Sequence, residues 1–221
     1  TSTVLTDFAD ASNPRSAASP DGTNLWFDGA AGGIRFATFG ATTSTQLSTT
    51  VTNLRQVNIF ASQLYVTDSS GSAVRLGAVD SGLPTSSGQT ITNLPGFETA
   101  GSPYGFFFVD LDAGVAGVDT LYVADDSVGL EKFSLVSGSW VASGTAGAAA
   151  DAYRGLTATV AGSAVTLFTT RKGGSSATGG GELATLVDGT GYNGTLAGTP
   201  ALLATAATNT SFRGVALAPT P

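Results

Sequence analysis

Leu64-Tyr65-Val66-Thr67-Asp68 and Leu121-Tyr122-Val123-Ala124-Asp125 are the two stretches of this chain that decide its fold. Each is a short run of aromatic and β-branched residues that ends on an acid, which is typical of a β-strand running into a turn. Two weaker copies, Leu25-Trp26-Phe27 and Leu167-Phe168-Thr169, extend the series. The four runs lie about 47 residues apart on average, in the range of a four-stranded propeller blade. The spacing therefore predicts a repeated β-blade.

Three further series of strand-like runs accompany the first. A second run follows each member across a short Gly-rich gap, as hairpins require: Gly33–Phe39, Ala73–Val79, Gly129–Leu135 and Gly181–Val187. The third series comprises Thr3–Phe8, Thr49–Leu54, Gln89–Leu94, Trp140–Ser143 and Leu202–Thr205. The fourth, led by Arg or Tyr, comprises Arg15–Ala18, Arg55–Phe60, Tyr104–Val109, Arg154–Val160 and Arg213–Leu217. We interpret the third series as outer strands, the fourth as inner strands and the first two as middle pairs.

This order gives four full repeats and one further outer–inner unit. It predicts a single all-β domain over residues 1–221, built as a β-propeller of about five blades with the last one incomplete. The alternative within this fold is the C-terminal part of a larger propeller, or copies that complete one another to cover open sheet edges. A β-helix or an open sandwich also has short strands between Gly-rich turns, but the blade-length period argues against a β-helix.

Composition excludes several classes of function. The chain has no His and no Cys, which excludes Ser-His-Asp and Cys-His catalysis, ordinary haem ligation and ordinary zinc sites. A net charge of −7 repels nucleic acid and anionic lipid, so neither is an expected partner. The longest strongly apolar run, Phe106–Val109, is much shorter than a membrane span, which predicts that no segment crosses a membrane.

The same composition favours export. Only two of the nine basic residues are lysines, and the chain is rich in Thr, Ser and Gly and starts on Thr1 rather than Met. We interpret this start as a mature or trimmed N-terminus. The expected location is the periplasm, the cell surface or the medium of a bacterium.

From Phe106 to Ala218 the chain resembles the C-terminal propeller-like regions of uncharacterised exported bacterial proteins, some of which carry a C-terminal sorting tail. The resemblance rests on these segments: Phe108–Asp112, Ala116–Asp126, Tyr153–Leu156, Thr170–Gly174 and Asn209–Pro219. It implies a propeller fold and export, and no shared activity. In such proteins the Phe212–Leu217 segment ends the propeller, which implies that further blades precede this chain.

The arginines give one candidate ligand site. Arg15, Arg55, Arg154 and Arg213 lead the expected inner strands, and Tyr104 holds the same place in the fifth. Because inner strands line the channel of a propeller, these side chains are expected to form a ring at one mouth. Guanidinium groups bind carboxylate, sulfate or phosphate in bidentate geometry. The alternative is that each arginine pairs with a nearby acid, such as Asp10 or Asp151, or with loop carbonyls.

A weaker candidate is a calcium site. Asp110, Asp112 and Asp119 lie in one loop, and calcium prefers carboxylate and carbonyl oxygens. An EF-hand beginning at Asp110 would need a bidentate Glu at its twelfth position, which is Leu121. The alternative is a polar turn held by Asx-type hydrogen bonds. Calcium is the one cofactor the sequence allows for.

The sequence carries no specific catalytic signature. We therefore expect a non-enzymatic exported propeller that serves as an interaction or structural module, with a protein partner or a larger envelope or surface assembly. One alternative is a binder of small anions or glycans at the channel mouth. A less favoured alternative is a calcium-dependent hydrolase.

Overall fold

A computed structural model describes residues 3–8, 12–175 and 179–218 of the chain. Within them it contains sixteen strands and one short 3-10 helix, Ala149–Asp151. The chain divides into two compact units, which we call unit 1 (Thr1–Ala100) and unit 2 (Gly101–Pro221). In this described part, no helix is long and apolar enough to cross a membrane.

Unit 1 consists of two antiparallel sheets, each made of four strands in sequence order. The strands of blade 1 are β1 (Pro14–Ala18), β2 (Asn24–Gly29), β3 (Arg35–Thr38) and β4 (Thr45–Gln46). The strands of blade 2 are β5 (Leu54–Phe60), β6 (Gln63–Asp68), β7 (Leu76–Val79) and β8 (Ile91–Asn93). The first strands of the two blades, β1 and β5, contact each other. The first strand is therefore the inner one, and the fourth strand is an outer edge.

Unit 2 repeats this arrangement. The strands of blade 3 are β9 (Pro103–Val109), β10 (Thr120–Asp125), β11 (Gly129–Val136) and β12 (Ser139–Ala146). The strands of blade 4 are β13 (Leu156–Ala161), β14 (Ala164–Arg171), β15 (Glu182–Asp188) and β16 (Ala201–Thr205). Again the first strands, β9 and β13, contact each other.

A separate apolar core fills each unit. The aromatic and branched residues of the second strands supply its centre, since Trp26 and Leu64 in unit 1 and Tyr122 and Leu167 in unit 2 are buried. A four-stranded sheet cannot bury both of its faces alone. Within each unit, the two sheets therefore pack against each other and bury the apolar side chains that lie between them.

The all-β class and the blade repeat predicted from the sequence are confirmed, but two features of the prediction are wrong. The blade count is four rather than about five, and each blade begins with its inner strand and ends with its outer strand. Thr3–Phe8 is not a strand, and neither is Arg213–Leu217. Both segments have strand-like composition, but no neighbouring strand in the described residues pairs with either. The assignment of residues 1–221 to one domain stays a prediction.

A buried ion pair joins the two blades of unit 2. Nζ of Lys132, on β11, lies 2.8 Å from Oδ2 of Asp188, on β15, and both side chains are almost fully buried. The ammonium also donates to Oγ1 of Thr190 at 2.9 Å and to the carbonyl oxygen of Gly191 at 2.6 Å. Its three donors are therefore all used.

The carboxylate of Asp188 is equally well bonded. It accepts hydrogen bonds from the hydroxyl of Tyr122 at 2.6 Å and from the amide and hydroxyl of Thr190. Burial pushes the pKa of Asp188 upward, but the hydrogen bonds from Lys132, Thr190 and Tyr122 outweigh it and hold this pKa below its ordinary value. Burial and the same carboxylate raise the pKa of Tyr122. The cluster is charged, buried and internally satisfied, which is the condition under which a buried ion pair is tolerated.

Removing one partner of this pair will destabilise unit 2. Lys132→Met keeps the side-chain length and leaves Asp188 buried without its cation, so we expect a loss of about 3–5 kcal/mol in the free energy of unfolding. Denaturant unfolding followed by the fluorescence of Trp140, in a Trp26→Phe background, reports on unit 2. The matched control is Lys172→Met, at an exposed lysine, for which we expect less than about 0.5 kcal/mol. Equal effects of the two substitutions would contradict a structural role for Lys132.

Candidate functional site

The residues that lead the first strands occupy β-bulges. In blade 1, Pro14 pairs with Gly29 and Ser16 pairs with Asp28, so Arg15 is an extra residue on its strand. In blade 2, Leu54 and Gln56 pair with consecutive residues of β6, so Arg55 is the extra residue. A bulge bends its strand and re-aims the side chain of the extra residue. The side chains of Arg15 and Arg55 therefore depart from the regular alternation of side chains between the two faces of β1 and β5.

Blades 3 and 4 have the same feature. In blade 3, Pro103 and Phe106 pair with Asp125 and Val123, which leaves Tyr104 and Gly105 opposite one residue. In blade 4, the backbone of Thr170 faces two residues: its carbonyl accepts from the amide of Arg154 and its amide donates to the carbonyl of Gly155. The Arg/Tyr positions identified in the sequence are thus structurally equivalent in the four blades.

The amide after each bulge residue has a buried acceptor in three of the four blades. Oδ1 of Asp28 accepts from the amide of Ser16 at 3.1 Å. Oγ1 of Thr67 accepts from Gln56 at 3.1 Å, and Oγ1 of Thr170 accepts from Gly155 at 2.8 Å. These acceptors occupy equivalent positions on the second strands. In blade 3 this position is Ala124, and the amide of Gly105 donates instead to the carbonyl of Arg154, at 2.7 Å.

The bulge arginine of blade 1 bonds to blade 2. Nη1 of Arg15 donates to Oδ1 of Asn53 at 2.7 Å and to the carbonyl of Leu54 at 2.6 Å. Nε of Arg55 donates to the hydroxyl of Ser69 at 2.6 Å. Asp10, the acid that the sequence offers as a partner of Arg15, lies outside the described residues.

Arg154 is held by a carboxylate and an aromatic ring of blade 3. Its Nε and Nη2 bind the two oxygens of Asp126 at 2.9 and 3.1 Å. The guanidinium carbon lies 4.8 Å from the centre of the Tyr104 ring, in cation–π contact. The acid is therefore Asp126 rather than Asp151, which is closer in sequence. Asp151 accepts a hydrogen bond from Tyr153 at 2.9 Å.

Arg213, the fifth residue of the expected ring, does not lie on a strand. Arg213 is exposed and belongs to no strand, so the prediction that it leads an inner strand is wrong. Arg15 and Arg55 lie in unit 1, and Tyr104 and Arg154 lie in unit 2. A ring of these side chains, and its binding of anions, stay predictions.

The three aspartates of the expected calcium loop differ in their surroundings. Asp119 is fully buried, and its carboxylate accepts from the amides of Leu111 and Asp112 and from the hydroxyl of Thr120. Asp112 accepts from the amide of Gly114 at 2.9 Å, and Asp110 is exposed. Asp119 thus organises its own loop through Asx-type bonds. Calcium binding by this loop stays a prediction.

Sequence reasoning missed Asp28. This residue is fully buried on β2. Its Oδ1 accepts from the amide and hydroxyl of Ser16, both at 3.1 Å, while its Oδ2 has no hydrogen-bond partner among the described residues. Burial raises the pKa of Asp28 to about 7, against the hydrogen bonds from Ser16 and the charge of Arg15, which lower it. The signal available in the sequence was the acid within Leu25-Trp26-Phe27-Asp28, where the equivalent runs of the other blades have Thr or Ala.

An open pocket of about 340 Å³ lies beside this acid in unit 1. The described residues that line it are Leu5, Phe8, Pro14, Arg15, Ser16, Ala17 and Phe27. Ser16 connects the pocket to Asp28, because its hydroxyl donates to the buried carboxylate.

No family model matches the chain, and no curated protein matches it. Among solved structures it is similar to the computationally designed Ika8 protein, with 10% identity over 90% of this chain and a TM-score of 0.49. This chain spans about half of that protein, 51%.

Two further solved structures are similar to a comparable degree. The β-propeller domain of Myceliophteria thermophila Cps50 (Swd1) is 9% identical, with a TM-score of 0.46 over 90% of this chain and 74% of that domain. A mutant of the Cellvibrio cellulosa α-L-arabinanase is 15% identical, with a TM-score of 0.43 over 86% of this chain and 77% of that enzyme. All three TM-scores lie below 0.5.

The buried carboxyl of Asp28 will make the stability of unit 1 depend on pH. The folded state keeps the proton of this acid up to a pH of about 7, whereas the unfolded chain releases it near 3.8. Between these values the folded state binds more protons, so the free energy of unfolding falls as pH rises. We expect a loss of up to about 4 kcal/mol between pH 4 and pH 7, and none from this group above pH 7.

Denaturant unfolding at several pH values, followed by Trp26 in a Trp140→Phe background, measures this dependence. Asp28→Asn should remove most of it. The control is Asp80→Asn, at an exposed acid of the same unit, which should leave the dependence in place. A profile that is the same in Asp28→Asn and in the parent chain would show that Asp28 is ionised throughout the folded state.

Proposed function

We propose that this chain is an exported, non-enzymatic interaction module that docks a partner protein at the outer edge of blade 4. The observation that carries the proposal is the exposed, uncharged edge strand β16. All five of its residues are exposed, and Leu202 and Leu203 expose 52% and 50% of their surface. Val187, on the adjacent β15, is also exposed.

The other outer strands differ from β16. The edge strand of blade 1 has two residues and that of blade 2 has three. The edge strand of blade 3 buries Trp140 and Ala146. Proteins ordinarily protect sheet edges by keeping them short or by placing charges and prolines on them. The strand β16 has five residues with neither a charge nor a proline.

The local charge favours a strand-forming partner. No Asp, Glu, Lys or Arg occurs between Asp188 and Arg213, so an extended segment can pair with this edge without a repelling charge. The chain as a whole carries a net charge of −7, which disfavours acidic partners. The occupant that fits is a neutral or basic extended segment of another protein, added as a fifth strand.

The polar chemistry of the described residues also supports a module rather than an enzyme. Lys132, Asp119 and Arg154 belong to residue types that serve in catalysis. Each of them is held by a hydrogen bond or an ion pair with a residue of its own unit. Export is supported by the composition and by the resemblance of residues 106–218 to exported proteins. A subunit of an envelope or surface assembly would combine both properties.

Site-specific photo-crosslinking in the source cells tests the docking surface. A benzoylphenylalanine placed at position 203 should give one discrete adduct with another protein, whereas the same probe at position 87, an exposed site in unit 1, should not. Adding Leu202→Glu to the position-203 probe should abolish the adduct, because the new charge opposes strand addition. Fractionation of the same cells should place the adduct outside the cytoplasm.

Three outcomes would contradict the proposal. They are the absence of an adduct at position 203, the same adduct at both positions, and an adduct with a second copy of this 21.9 kDa chain.

A further inference from the structure

The two sheets of each unit pack through equivalent faces. We call the face that a blade turns toward the following blade its rear face, and the opposite face its front face. In unit 1, Trp26 on the rear face of blade 1 is buried in one cluster with Leu64 on the front face of blade 2. In unit 2, Tyr122 on the rear face of blade 3 is buried in one cluster with Leu167 on the front face of blade 4. Trp26 and Tyr122 are equivalent, because each lies two residues before the acceptor position of its second strand.

The rear face of blade 4 follows the same pattern but is not fully covered. Its equivalent of these two aromatic residues is Phe168, which is partly exposed. Val187, which pairs with Thr166 on this face, exposes 61% of its surface. The equivalent residue of blade 3 is Ser134, which pairs with Thr120 and is fully buried. The rear face of blade 4 therefore has the side chains of a blade interface without a following blade.

This rear face is apolar or hydroxyl-bearing throughout its two middle strands. The residues of β14 and β15 that share it are Thr166, Phe168, Thr170, Leu183, Thr185 and Val187. Residues 212–214 run along its inner margin, where a Cβ on Gly155 would lie 3.4 Å from Cα of Gly214. That segment leaves Val187 exposed.

The front face of blade 1 is open in a complementary way. In blades 2 and 4 the second residue after the bulge, Val57 or Leu156, is buried against the preceding blade of its unit. The equivalent residue of blade 1, Ala17, is exposed and lines the open pocket of about 340 Å³. The surface of this pocket is almost wholly apolar, and its rings Phe8 and Phe27 pack edge to face. At roughly 30 Å³ for each water-sized group it holds about ten such groups, enough for one aromatic side chain.

A second copy of the chain supplies what each of these two faces lacks. Within one chain, a rear face already packs on a front face in unit 1 and again in unit 2. The rear face of blade 4 and the front face of blade 1 both stay exposed in the single chain, at Val187 and Ala17. Their surfaces are apolar or hydroxyl-bearing, so bringing them together desolvates little charge. Because the two faces differ, a contact between them is heterologous.

We propose that copies of this protein associate head to tail, with the rear face of blade 4 of one copy packed on the front face of blade 1 of the next. The ring of Phe168 then occupies the apolar pocket beside Ala17, as Tyr122 packs on blade 4 within unit 2. The contact is separate from partner docking at β16, because it uses the face of the sheet and docking uses its free outer edge.

Light scattering during gel filtration of the full chain, over a range of concentrations, tests the proposal. The mass of the parent chain should rise above 21.9 kDa with concentration. Phe168→Glu and Ala17→Glu should each stay at the mass of one copy. An equimolar mixture of these two variants should associate again and stop at two copies, because it contains one intact rear face and one intact front face. Since each copy carries a net charge of −7, added salt should strengthen the association.

Matched substitutions at exposed positions outside the contact serve as controls. Val141→Glu on β12 and Ala73→Glu in unit 1 should associate like the parent chain. Thermal unfolding followed by circular dichroism shows whether each variant is folded. If Phe168→Glu fails to fold, Val187→Glu, on the same face and more exposed, takes its place in the mixture.

Four results would overturn the proposal. The first is a parent chain that keeps the mass of one copy at every concentration, and the second is association that survives either face substitution. The third is a mixture of the two variants that does not associate, which would show that rear and front faces do not pair. The fourth is association that weakens as salt is added, which would point to an ionic contact.

Discussion

Each blade of this protein must bury a face that it cannot cover by itself, and within each unit it does so by packing its first strand against that of its neighbour. The bulges hold these strands in place. In unit 1 the bulge residue Arg15 donates to the carbonyl of Leu54, at the start of β5. In unit 2 the bulge residue Gly105 donates to the carbonyl of Arg154. A Cβ at Gly105 would lie 2.6 Å from that carbonyl oxygen, so the close approach depends on glycine.

The same constraint explains how the charged residues are used. A group that packing removes from water must find partners inside the protein. Lys132 and Asp188 satisfy each other, and Asp119 satisfies the amides of its own loop. Among the described residues, Oδ2 of Asp28 and Nε of Arg75 are two of the few buried side-chain atoms that have no hydrogen-bond partner. The exposed, uncharged edge of β16, in unit 2, is another feature that packing leaves incomplete.

The sequence predicts the repeat well because each second strand is defined by local composition. The run Leu121–Asp125 and its equivalents lie on second strands in all four blades, and the runs after them lie on third strands. The blade count was wrong because Arg213–Leu217 has the composition of a strand without a partner, and pairing is a non-local property. Among the outer strands, β4 was not predicted, because a strand of two residues is too short to show an alternation of apolar and polar side chains.

The candidate site was only partly predictable from the sequence, because its contacts join residues that are distant in the chain. The leading Arg and Tyr residues were visible, but their position at bulges depends on the register against the second strand. Asp126 binds Arg154 from 28 residues away in sequence, so proximity in the chain pointed to the wrong acid. The burial of Asp28 follows from the packing of two blades, which no local pattern encodes.

Native-state hydrogen exchange tests most directly whether the bulges anchor the blades. The amides of Gln56, Gly105 and Gly155 follow or lie within bulges and are bonded in the structure. We predict that each exchanges as slowly as a core amide of its own unit, Val66 for Gln56 and Val123 for Gly105 and Gly155, through opening of that whole unit. Exchange of these amides at the rate of an exposed loop amide such as that of Ser87 would show that the bulges open locally, and would contradict the account.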